Sequence, residues 1–186
     1  MKNIVFLLLI IVVYSCSTTI NFSKVNEPIN NFSYTGSILR WENIYNYSQS
    51  DSINVVSWFK NRFSITSDQP NKISGQTLKE SLPYKKAGYN NMNVILLLKE
   101  PCEVFFTIDF KENRYRVIVN KILWYPSTNL NLGYISTNTN MVMSLEELAL
   151  KNNGYRSTFV KNSSKQVNDI LSLLFTATPL EISDNW

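Results

Sequence analysis

Phe106-Thr107-Ile108-Asp109-Phe110-Lys111-Glu112-Asn113-Arg114-Tyr115-Arg116-Val117-Ile118-Val119 is the stretch on which the fold turns. Read as two strands joined by a Glu112-Asn113 turn, it sorts itself without adjustment. Phe110 faces Tyr115, Ile108 faces Val117 and Phe106 faces Val119 on one side. On the other side Asp109 meets Arg116, Lys111 meets Arg114 and Thr107 meets Ile118. One side is apolar and the other mostly polar, as required of an antiparallel sheet covered on a single face. Asp109 and Arg116 read as a cross-strand ion pair contributing about 0.2–1 kcal/mol, in preference to an acid with an electrostatic partner.

Upstream of the hairpin, Tyr34 to Ile44 is aromatic-rich and alternating, which predicts a first strand. Ile73 to Lys79 alternates again and predicts a second. A helix is expected between them, capped by Ser50 or Asp51, with Val55, Val56, Phe59 and Phe63 on one arc and Trp58 at its margin. Pro83 and Gly88 mark a loop. Asn93 to Lys99 carries a continuous Val-Ile-Leu-Leu-Leu run that fits a buried strand or a short helix equally, because periodicity does not separate the two.

Downstream, Ser144-Leu145-Glu146-Glu147 matches a capping box and starts a short helix that Asn152-Asn153-Gly154 would stop. Val160, Ser164, Val167, Leu171 and Leu174, with Ile170 beside them, form the stripe of a longer amphipathic helix ending before Pro179. Such a stripe packs on the domain's own sheet. The expected class is α+β, an antiparallel sheet with one face covered by two or three helices, over residues 33–178 and followed by a C-terminal tail at 179–186.

The N-terminus reads as an address. Lys2 precedes ten consecutive apolar residues, Ile4 to Val13, a run that stops at Tyr14-Ser15-Cys16. A membrane-spanning helix needs about 20 such residues. Val13-Tyr14-Ser15-Cys16 resembles a bacterial lipobox, with an aliphatic residue three places before the cysteine and a small residue directly before it. Residues 1–15 are therefore expected to be a lipoprotein signal peptide and Cys16 the acylated N-terminus of the mature chain. Residues 16–32, rich in Ser, Thr and Asn, are expected to be a flexible tether. More than one acyl chain makes release from a membrane slow. Ser17 after the cysteine resembles lipoproteins sent to the outer membrane, and the absence of an acidic cluster nearby points to the leaflet facing the periplasm.

Composition narrows the chemistry. The 186 residues are 44% hydrophobic and 17% charged, enough for one domain with a substantial core. There is no histidine, which removes Ser-His-Asp, Cys-His and His-ligated metal mechanisms. Gly36, Gly75, Gly88, Gly133 and Gly154 are too far apart for a phosphate-cradling loop. The net charge of +4 is spread in single residues and pairs such as Lys85-Lys86, without the stripe that nucleic acid requires. Cys102 is expected to be a small, half-buried apolar residue and not a reactive thiol. Trp41, Tyr45 and Tyr47 can stack on a sugar or peptide, but are expected at the rim of the core. No catalytic, cofactor-binding or metal-binding residue is expected; the one candidate site residue is the lipidation site, Cys16.

The order strand, helix with Trp58-Phe59-Lys60-Asn61-Arg62-Phe63, strand with Ile73-Ser74-Gly75, hairpin with Arg114-Tyr115-Arg116, and final amphipathic helix resembles a Bacteroidota domain-of-unknown-function family described as having a TATA-binding-protein-like (TBP-like) fold. The resemblance runs from about Ser33 to Phe175, with Ser81 to Pro101 and Ser127 to Met143 fitting as insertions. It implies the α+β fold above and brings no activity. Nor does the fold name license DNA binding, since function resides in the site. The expected function is a non-enzymatic, lipid-anchored envelope protein that binds another envelope component. A carboxylate-dependent hydrolase of envelope glycan or lipid is the alternative, favoured if two acidic residues face each other across a pocket. A lipoprotein that neutralises a toxin is a third reading, and nucleic-acid binding comes last.

Overall fold

A computed structural model of the chain describes residues 28–35, 38–48, 52–127, 141–152 and 154–177. The expected signal peptide, Cys16, the two candidate helix caps Ser50 and Asp51 and the expected tail at 179–186 lie outside the described residues.

The hairpin forms as its sequence dictates. Strands β6 (Pro101–Lys111) and β7 (Arg114–Trp124) pair Phe110 with Tyr115, Asp109 with Arg116, Ile108 with Val117 and Phe106 with Val119. Asn113, at φ 60°, takes the left-handed conformation of the turn, which asparagine tolerates. Beyond Val119 the register shifts by one residue, so that Lys121 faces Phe105 and Asn120 is the extra residue of a β-bulge. The bulge changes which parity of β7 points inward. Tyr115, Val117 and Val119 are buried before it, and Ile122 and Trp124 after it. Without the extra residue, the second pair would lie on the opposite face from the first three.

Around this hairpin the sheet extends in the order β1-β2-β7-β6-β4-β3, every neighbouring pair antiparallel. The expected first strand is two strands, β1 (Phe32–Thr35) and β2 (Ile38–Asn46), paired with each other. Gly36-Ser37 between two apolar-aromatic runs is a hairpin signal that a single-strand reading passes over. The tether is also shorter than expected. Phe32 is fully buried, Ile29 bridges to it, and Asn30 donates a hydrogen bond to Ser164 Oγ at 2.8 Å, so the chain joins the domain before Ser33.

The expected second strand is β4 (Lys72–Gln76), and its hairpin partner β3 (Ser64–Gln69) had no apolar alternation to announce it. β3 is an edge strand whose residues are exposed except for the half-buried Ile65. Two-residue strands β5 (Glu80–Ser81) and β8 (Met143–Ser144) extend β6 and β7 at their far ends.

Helix α1 (Ser52–Arg62) lays Val55 and Phe59 onto the covered face, and Phe63 follows one turn beyond Phe59. Phe59 packs edge-on against Tyr115 at 5.2 Å between ring centroids, and Phe63 against Phe106 at 4.9 Å. Helix α2 (Leu145–Ala149) starts with the expected capping box: Ser144 Oγ accepts from the Glu147 amide and Glu147 accepts from the Ser144 amide. It stops at Ala149, earlier than expected, because Leu150–Lys151 (β9) pairs with Gly154–Tyr155 (β10) in a small ladder. Asn152, at φ 51°, belongs to the turn of that ladder and not to a helix end.

The last helix, α3 (Ser164–Phe175), is preceded by a π-helical turn, Phe159–Ser163. The Ser164 amide donates to the carbonyl of Phe159, five residues back, and the wider turn brings Phe159 onto the core face where the α-period had placed Val160. Val167, Ile170, Leu171, Leu174 and Phe175 are buried as the stripe requires. Three side-chain hydrogen bonds bolt this helix to the sheet. Trp41 Nε1 donates to Asn168 Oδ1 at 3.0 Å, Tyr45 Oη to the Ser172 carbonyl at 3.1 Å and Tyr115 Oη to the Phe175 carbonyl at 2.9 Å. Burial raises the pKa of both tyrosines, Tyr115 to about 12, so both hydroxyls remain donors.

Between β5 and β6 the chain forms a long loop closed by a 3-10 turn, Leu96–Lys99, that buries Leu97 and Leu98. Of the two readings of Asn93–Lys99, the short helix holds, as a 3-10 turn over Leu96–Lys99. The loop docks on α3 through Tyr89, whose hydroxyl donates to Asp169 Oδ2 at 2.7 Å. Burial disfavours the Asp169 carboxylate, but hydrogen bonds from Lys165, Tyr89 and Asn168 together outweigh it and hold its pKa below the ordinary value of 3.8. A carboxylate with a lowered folded pKa stabilises fully above its unfolded pKa and loses that contribution as pH falls through the folded value. The Tyr89 ring resonances are therefore expected to shift in a titration centred below pH 3.8, and Asp169→Asn to abolish it, as followed by NMR.

Candidate functional site

The uncovered face of the sheet is built by the even residues of β2, the odd residues of β6 and the outward positions of β7 and β4. Register places Ile44 beside Arg116, Arg116 beside Asp109 and Asp109 beside Lys72, one row crossing four strands. Charges of alternating sign fill it. Lys72 Nζ lies 3.9 Å from Asp109 Oδ1, and Arg116 Nη2 lies 2.7 Å from Asp109 Oδ2. Arg116 Nη1 reaches Glu42 Oε1 at 3.5 Å, and Arg40 Nη2 reaches Glu42 Oε2 at 3.4 Å. The hydrogen bond to Asp109, followed by the charge of Glu42, raises the pKa of Arg116 further.

This ladder carries the ion pair expected between Asp109 and Arg116, extended on both sides. Its members are substantially solvated, and each such pair contributes about 0–1 kcal/mol to folding. The ladder therefore says more about what the face can meet than about what holds the sheet together. Flanking it on the same side, Ile38 is 62% and Ile44 55% exposed. Alternating charge with apolar flanks suits a complementary protein surface, where it sets register and partner choice. It suits a polyanion poorly, because Arg116 is already held between two carboxylates.

At the hairpin tip an open cleft of about 1110 Å³ is lined by Asn46, Tyr47, Ser57, Asn71 and Glu112 among others, with Phe110 as part of its wall. Tyr47 secures the tip. Its amide donates to the Asn113 carbonyl at 3.0 Å and its hydroxyl to the Lys111 carbonyl at 2.9 Å. Among the described residues, Glu112 is the one carboxylate lining this cleft.

The aromatic candidates divide accordingly. Trp41 is fully buried beneath α3, stacked on Phe175 at 6.2 Å, and Tyr45 stacks on Tyr115 at 4.9 Å. Tyr47 lines the cleft at the hairpin tip. Cys102 is fully buried, and burial, then the charge of Glu103, pushes its thiol up to about 12, which leaves it protonated and unreactive. Cys16, the lipidation candidate, lies outside the described residues. Among the described residues no three His, Cys, Asp or Glu side chains gather where they could hold a metal ion, and no helix is long and apolar enough to cross a membrane. The sequence reading had the central pair of the charged row; Arg40, Glu42 and Lys72 joined it only once the strand order was known.

No protein-family model and no curated protein matches the chain. Two solved structures are similar to it, both from Bacteroidetes. A TBP-like protein from Parabacteroides distasonis shares 14% identity over 76% of this chain and 90% of that one, with a TM-score of 0.45. A DUF4468 family protein from Bacteroides ovatus shares 12% identity over 81% of this chain and 93% of that one, with a TM-score of 0.44.

Proposed function

We propose that the chain is a non-enzymatic binding module of the cell envelope, held at a membrane by a lipid on Cys16 and contacting a second envelope protein through its uncovered sheet face. The observation that carries this reading is the charged row from Lys72 to Arg40 with Ile38 and Ile44 exposed beside it. It combines the apolar area and the sign pattern by which protein surfaces recognise one another. The anchor rests on the lipobox-like Val13-Tyr14-Ser15-Cys16, the outer membrane is the location that Ser17 favours, and the lack of a nearby acidic cluster favours the periplasmic leaflet.

A photo-cross-linking residue at Ile44, with Leu173 on the outer side of α3 as comparison, tests the reading in intact cells. A single protein adduct is expected from Ile44 and none from Leu173. Cys16→Ala is expected to leave unprocessed, unacylated precursor and to lose the adduct. Recovery of the chain without an adduct from either position overturns the proposal and turns attention to the cleft at the hairpin tip.

A further inference from the structure

The 84–99 loop is fastened by its own side chains and still holds two large apolar residues in solvent. Its polar groups are used internally: Asn90 Oδ1 accepts from the amides of Met92 and Asn93 at 2.9 and 3.0 Å, and Asn93 Oδ1 accepts from the Asn90 amide at 2.7 Å. Gln166 of α3 donates to the Asn93 carbonyl at 2.8 Å and accepts from the Ile95 amide at 3.0 Å. Lys99 Nζ donates to the Asn91 carbonyl at 2.7 Å. Two apolar side chains stand in solvent on this fastened turn, among exposed Lys85, Lys86, Asn90, Asn91 and Asn93. Met92 is 96% exposed, and Leu96 is 46% exposed.

Cations stand beside it. Lys161 of the π-helical turn and Lys165 of α3, the latter also bound to the Asp169 carboxylate, line one cleft with Met92. The chain also joins the domain at this end of α3, where Asn30 bonds Ser164 and Asn31 Nδ2 donates to Asn168 Oδ1 at 3.0 Å. Only Ser17 to Glu27 separate Cys16 from Pro28, a reach of at most about 40 Å when fully extended.

We infer that the loop tip around Met92, with Lys161 and Lys165, is a membrane-facing surface that seats on anionic phospholipid. The inference rests on the reading that Cys16 carries a lipid, and adds to it the orientation of the domain. A methionine and a leucine held outward by a fixed turn insert among acyl chains, and the adjacent ammonium groups meet phosphate headgroups. The charged sheet face remains free for a protein.

The test uses the full chain with a nitroxide at Met92→Cys, and at Lys121→Cys on the uncovered face as comparison; Cys102 is buried and does not compete for the label. On vesicles containing phosphatidylglycerol, the label at position 92 is expected to become accessible to oxygen and shielded from an aqueous nickel chelate, while the label at 121 stays in water. In the mature-length chain, residues 16–186 with Cys16→Ala, Lys161→Glu is expected to lower partitioning onto the same vesicles by about tenfold, from the loss and reversal of one surface charge. Equal water exposure of both labels overturns the inference. So does equal binding to purely zwitterionic vesicles, or an adduct from position 92 to a protein in cells. The mass of the mature N-terminal peptide reports acylation separately, so a missing lipid refutes the anchor while the unanchored chain still decides the surface.

Discussion

Phe59→Ala is expected to lower the free energy of unfolding by about 3–5 kcal/mol, the range for deleting a buried phenyl ring. Phe59 is fully buried at the centre of the aromatic cluster, with Trp58 at 4.8 Å, Tyr115 at 5.2 Å, Phe63 at 6.0 Å and Phe110 at 6.2 Å between centroids. These neighbours come from α1, from the turn after it and from both strands of the central hairpin, so no single segment can close over the void. The cavity term adds to the lost transfer energy for that reason. Chemical denaturation with an unchanged m-value would register the whole effect as a shift in midpoint. A loss below about 1 kcal/mol would mean that α1 does not hold the sheet through this ring.

Gly75→Ala is expected to be the second most damaging small change, at about 1–3 kcal/mol. A methyl group at Gly75 would stand 2.6 Å from the Ser64 carbonyl oxygen, 3.1 Å from Phe106 Cζ and 3.2 Å from Ile65 Cδ1. The two side chains can yield a few tenths of an ångström, but the carbonyl belongs to the β3 backbone. Ser64 pairs with Gln76 and Ile65 with Gly75, so relief requires β3 to move off the sheet. The glycine is thus needed for close approach of backbone and not for an unusual φ. Hydrogen exchange should show the loss concentrated in β3 and β4, with the central hairpin amides still protected. Uniform loss of protection would assign the effect to the core instead.

Where sequence and structure agree, one physical signal dominates the local environment. The 106–119 hairpin has strict alternation with a turn residue suited to φ > 0, and its pairs follow the reading residue for residue. The capping box at Ser144 and the α3 stripe are equally local. Where they part, the deciding contact lies elsewhere in the chain. β3 is polar because both its faces are solvated, so nothing in its composition announces a strand. The Val94–Leu98 run buries Leu97 and Leu98 while docking on α3, a partner some seventy residues away, as in the 71-residue separation of Ile95 and Gln166. Phe159 is in the core because of a π turn that α-periodicity does not contain. The charged row was half legible: its central pair follows from the hairpin register, but its outer members sit on strands whose neighbours only the topology reveals.

The bulge at Asn120 ties the length of the gene to the chemistry of a whole strand. β7 is in effect two reading phases spliced at one codon, odd positions inward before it and even positions inward after it. An in-frame deletion there would turn Ile122 and Trp124 toward solvent and Leu123 toward the core in one mutational step. Length drift at this point is therefore coupled to simultaneous change at several positions. A lineage crossing that step would have to rewrite the end of the strand, and two such lineages could share a backbone while their hydrophobic patterns no longer align.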